Sequence, residues 1–114
     1  MIATKFRLGH NEIDFILKKG CQLETGKFIV KYAKTVESFS RYCVIISRKF
    51  YKKAVDRNRL KRKIHTGLSK MMDINTQNLN IVLIPKKSLS EKTEVKVIEQ
   101  DLEKIFNTLN KQNG

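Results

Sequence analysis

The chain has 114 residues, 40% of them apolar, and 24 lysines and arginines against 11 acids give it a formal charge of +13. That apolar share suits one domain over residues 1–114 with a modest core and excludes a disordered basic tail. So large a cationic excess needs a polyanionic partner, and the usual ones are nucleic acid and anionic membrane.

A membrane role has little support. The strongly apolar runs at 44–46 and 81–84 are far too short to span a bilayer. The first residues carry charge early and lack the apolar core of a signal peptide, so a cytoplasmic protein is expected. Cys21 and Cys43 are too few for a disulfide framework or an all-cysteine zinc site, and read as small, partly buried thiols.

In chain order, residues 11–19 read as a short helix. Ile13, Ile16 and Leu17 share a face, Asn11 suits the cap, and Gly20 suits the left-handed position beyond the end. Residues 27–32 alternate as a strand, with Phe28, Val30 and Tyr32 on one face. A second strand at 41–47 puts Tyr42, Val44 and Ile46 together. Cys43 and Ile45 make its other face apolar too, which predicts a central strand covered on both sides.

Residues 53–72 then read as a long helix, with Leu60, Ile64, Leu68 and Met71 at helical spacing. A third strand at 79–85 ends in Pro85, and a last helix over 93–110 carries Val95, Ile98, Leu102, Ile105, Phe106 and Leu109. The expected class is α/β, an α+β sandwich of order αββαβα. Its middle forms a βαβ unit, and its outer helices pack on the sheet.

The charge is concentrated. Nine cations fall between positions 48 and 63 with one acid, Asp56, whereas five of the 11 acids lie between 91 and 103. On the long helix Arg59, Arg62, Lys63 and Lys70 fall within an arc of about 100°, away from the apolar face, as a rail for a phosphate backbone. Arginine's planar fork can hold two phosphate oxygens, and Asn58 at the edge of the arc can meet a base edge or a 2′-hydroxyl. A merely solvated helix face mixes signs, because like charges at i, i+4 cost stability. Among the aromatics, Phe28 reads first as core. Tyr32 and Tyr42 can equally be core or a shallow platform for unpaired bases.

Chemistry by the protein's own groups finds no support. His10 and His65 lie in different segments without metal-ligand spacing, and Asp14, Asp56 and Asp73 form no paired arrangement. A lone helical histidine such as His65 reads as a packed or exposed residue. No glycine-rich phosphate loop occurs. The classes left open are an RNA-binding subunit, a ribosomal or other structural RNA-binding protein and, more remotely, a DNA-binding protein or a nuclease acting alone.

The stretch from Ser47 to Ile64, SRKFYKKAVDRNRLKRKI, separates these classes. Ser47, Arg48 and Lys49, then Lys53-Ala54-Val55, Arg57-Asn58-Arg59 and Lys61-Arg62, resemble the signature of the bacterial ribonuclease P protein family. Phe50-Tyr51-Lys52 makes the join one residue longer than the family pattern and lacks its glycine. His65-Thr66 stands where Arg-Glu is usual.

The resemblance implies a sandwich whose βαβ crossover is left-handed, against the general rule. It also implies a non-catalytic protein subunit beside a catalytic RNA. That RNA, with magnesium bound mainly to it, cleaves the 5′ leader from precursor tRNA. Arg48, Lys49, Lys53, Arg57, Asn58, Arg59, Lys61 and Arg62 would contact the catalytic RNA. A cleft between the first helix and the sheet would hold the leader through Ile13, Leu17, Phe28, Tyr32 and Tyr42. Neither DNA nor membrane is expected as a partner.

Overall fold

The computed structural model describes residues 7–113. They run as α1 (His10–Lys19), β1 (Cys21–Glu24), β2 (Phe28–Lys34), β3 (Arg41–Val44), α2 (Ala54–Met71), a 3-10 turn (Met72–Ile74), β4 (Leu79–Pro85) and α3 (Val95–Asn113). The strands form one sheet in the order β1-β2-β4-β3. β2 pairs antiparallel with both β1 and β4, while β3 lies parallel to β4 and reaches it through α2.

Alternation along the strands decides what each face meets. Phe28, Val30, Tyr32, Tyr42, Val44, Leu79, Ile81 and Leu83 all point to one side. There they pack against Leu60, Ile64 and Leu68 of α2 and Ile98, Leu102, Ile105, Phe106 and Leu109 of α3. The rings of Tyr42 and Phe106 meet edge to face, with centroids 6.2 Å apart. α1 crosses the opposite face over β2 and β4, burying Ile16, and Lys31 Nζ ties it down by donating to the Leu17 carbonyl at 3.2 Å.

Four expectations need correction. β1 is an additional strand; only Leu23 on it is half-buried, so four short residues at a sheet edge carried no periodic signal. Gly20 is extended (φ −72°, ψ 162°), because the chain passes straight from α1 into β1. A Cβ there would stand 2.5 Å from the Ile16 carbonyl oxygen and 2.9 Å from that of Tyr32, so close approach rather than a left-handed turn requires the glycine. The cap of α1 is Gly9, not Asn11, with the Glu12 carboxylate accepting from the Gly9 N–H at 3.2 Å.

β3 is an edge strand and β4 the interior one. The N-terminal segment runs along the outer edge of β3. Arg7 bridges Tyr42 and Leu8 N–H donates to the Tyr42 carbonyl at 3.2 Å, which shields that edge. Of the two thiols, Cys43 is half-buried as expected and Cys21 is exposed.

Candidate nucleic-acid interface

The basic stretch begins in the connection from β3 to α2, and Tyr51 shapes it. Its ring is buried, and its hydroxyl lies 2.5 Å from the carbonyl oxygens of both Lys86 and Leu89. Arg57 Nη1 donates back to the carbonyls of Tyr51 and Lys52 at 2.9 Å each. Arg57 therefore fastens the longer, glycine-free join onto the first turn of α2. Neighbouring Phe50 is half exposed, with Lys87 Nζ 4.8 Å from its ring centre.

The cationic side chains then divide. Arg48, Lys49, Lys53, Asn58, Arg59, Lys61 and Arg62 are exposed. Lys63 and Lys70 are not part of a continuous rail: Lys63 Nζ donates to the Thr93 carbonyl at 2.9 Å, and Lys70 pairs with Glu99 at 3.2 Å. The cause is the close crossing of α2 over α3 at Gly67, where a Cβ would meet Ile98 at 3.2 Å. What remains is a stripe of Asn58, Lys61, Arg62 and His65 facing the edge of β3.

Along that edge three adjoining hollows share Lys61, and none of the described residues that line them is acidic. One lies between Arg7 and Leu8, β3 and α2. The next opens over Asn58 and Arg62, and the third reaches Ile46, Arg48 and Arg57. His65 borders the first two and is 6% exposed. Burial, then the cations Lys61 and Arg7, hold its imidazole below the usual range. Burial raises the Cys43 thiol, which leaves it neutral beside them.

A separate groove lies between α1 and the sheet, lined by Asn11, Glu12, Phe15, Ile16, Ala33, Lys34 and Asn80. Phe15 is 58% exposed there, and the buried Asn80 Oδ1 has no hydrogen-bond partner among the described residues. Ile13 and Leu17 are half-buried on α1 beside Ile16. Arg41 reaches across from β3 to an ion pair with Glu12, which fixes the helix over the sheet.

Phe28, Tyr32 and Tyr42 do not join that groove. All three side chains lie on the opposite face, inside the core. Tyr32 Oη donates to Gln112 Oε1 at 2.6 Å, and Tyr42 Oη accepts from Asn75 Nδ2 at 3.2 Å, so both hydroxyls find protein partners. Burial raises both phenols. Phe15, which takes their place as the exposed aromatic, was hidden in the sequence because it lies off the apolar stripe of α1.

Among the described residues no three His, Cys, Asp or Glu side chains gather so as to hold a metal ion. No helix among them is long and apolar enough to cross a membrane.

A family model described as Ribonuclease P matches residues 4–110. The chain belongs to this family. The ribonuclease P protein component of Thermotoga petrophila is 34% identical over 99 residues, 87% of this chain and 84% of that protein. The one from Legionella pneumophila is 26% identical over 88 residues, 77% and 75% of the two chains. Among solved structures, the RNase P protein from Thermotoga maritima superposes with a TM-score of 0.78 at 29% identity, covering 88% of this chain and 94% of that one. The ribonuclease P fold thus accounts for the sheet and the three helices, and the signature at 47–62 supplies most of the cations that line the hollows along β3.

Proposed function

We propose that this chain is the RNA-binding subunit of ribonuclease P and assists magnesium-dependent removal of 5′ leaders from precursor tRNA by the catalytic RNA. The observation that carries this reading is the exposed Asn58, Lys61 and Arg62 lining acid-free hollows along β3, with Arg59 exposed on the same helix. There cations neutralise phosphates of the catalytic RNA, with Arg48, Lys49 and Lys53 extending the surface. Arg57 contributes chiefly by holding the join in place. Neutralisation lowers the repulsion between RNA segments, so the folded RNA needs less magnesium. Magnesium is assigned to the RNA, since the chain's carboxylates are dispersed.

The single-stranded leader is assigned to the groove between α1 and the sheet. Phe15 offers a stacking face and Lys34 a charge for the backbone, while Ile13 and Leu17 lie on α1 outside the lining of this groove. The protein works in the cytoplasm, where its RNA partners are.

The test is cleavage of a precursor tRNA at low magnesium by the source organism's catalytic RNA, with and without the protein, and by the protein alone. Strong stimulation of the RNA and no cleavage by protein alone is the expected result. Salt-sensitive RNA binding without stimulation would point instead to a structural RNA-binding protein.

A further inference from the structure

His65 combines two features that the reading above leaves unused. It is nearly buried, and neither ring nitrogen has a hydrogen-bond partner among the described residues. It also forms the wall between two hollows whose other charged lining groups are cations: Arg7 and Lys61 on one side, Lys61 and Arg62 on the other. Neutral imidazole leaves a donor and an acceptor unmet among the described residues, and imidazolium there would add a further positive charge to hollows with no acid among their described lining residues.

We propose that the hollow between Arg7, Lys61 and His65 is a phosphate site for the partner RNA, and that His65 takes up a proton as the phosphate binds. This rests on the ribonuclease P reading. Among the described residues, the groups facing the imidazole are Lys61 and Arg62 from its own helix, Arg7 from the N-terminal segment, and the neutral Tyr42 and Cys43 from β3. In the free protein burial and the neighbouring cations keep the ring neutral. A phosphate seated on Arg7 and Lys61 offsets their charge, which lowers the electrostatic penalty on the imidazolium.

The sign follows from linkage. If the bound state holds one more proton, affinity rises as pH falls and levels off below the free-state titration. A permanently charged side chain at this position binds tightly at every pH, and a neutral one never gains the proton.

The experiment measures affinity of the full-length protein for the catalytic RNA between pH 6 and 8 at fixed salt, for wild type, His65→Arg and His65→Gln. Divided by the His65→Arg values, wild-type affinity should fall up to about tenfold per pH unit at its steepest, the limit for one linked proton. His65→Gln should show a flat ratio. Calorimetry of wild type in two buffers of different ionisation enthalpy measures the proton uptake directly and needs no variant to fold. Tight, salt-sensitive binding with no uptake and parallel pH profiles would overturn the His65 site alone. Absence of salt-sensitive binding at any pH would overturn the ribonuclease P reading along with it.

Discussion

Tyr51 is where the basic connection between β3 and α2 is held to the core. Its buried ring anchors a segment otherwise lined with cations, and its hydroxyl sits between two carbonyl oxygens that follow β4. Tyr51→Phe keeps the packing and removes the one O–H that the Lys86 and Leu89 carbonyls share. The expected cost is about 1–2 kcal/mol, read by denaturant titration, with little change in RNA affinity. His65 acts at the same scale but through charge. Its titration is lowered by burial and by Lys61 and Arg7, so below the ordinary value of 6.5 the unfolded chain binds a proton that the native state refuses. In phosphate-free buffer without RNA, wild type should lose stability as pH falls from 7 to 5, and His65→Leu should lose less over that interval. Parallel losses would remove the imidazole from the account.

At the scale of elements, α2 has two jobs that its two sides divide. One side is packed so closely on α3 that Gly67 has no room for a large side chain: a Cβ at that position would stand 3.2 Å from Ile98 and 3.5 Å from Leu102. Gly67→Leu should wedge the helices apart at a cost of about 1–3 kcal/mol, seen as a lower denaturation midpoint. The other side carries Arg59 and Arg62 in solvent. Arg59→Ala with Arg62→Ala should weaken catalytic-RNA binding by about tenfold or more at low salt, since two phosphate contacts are lost. Its melting transition should stay near wild type, because neither side chain is buried; unchanged affinity would take α2 out of the interface.

For the whole molecule, charge asymmetry is the governing property. The cations of 48–62 lie on one side, whereas acids near α3 are engaged internally: Glu99 with Lys70, and buried Asp101 accepting from Thr25 Oγ1 at 2.5 Å and Lys27 N–H at 3.3 Å. Along the basic side, none of the described residues that line its hollows is acidic. If about six phosphates are contacted, log affinity should fall against log salt with a slope of about −4 to −5. A slope near zero would mean that the basic surface does not meet the RNA.

The sequence by itself determined the helices and three of the four strands, β2, β3 and β4, because Leu60-Ile64-Leu68 and Ile98-Leu102-Ile105 repeat at helical spacing and Phe28-Val30-Tyr32 alternates. It also determined the family, through Lys53 to Arg62, and the sign of the partner's charge. Only the tertiary structure decided that β3 is an edge strand, that β1 exists, that Lys63 turns to Thr93 and that Lys70 turns to Glu99 of α3. It likewise put Tyr32 and Tyr42 in the core while Phe15 reaches solvent, and enclosed His65 among cations. Periodicity reports which side of an element is apolar. Which neighbour covers that side, and which charges meet across the gap, depends on contacts between residues far apart in the chain, such as Arg7 with Tyr42 and Lys63 with Thr93.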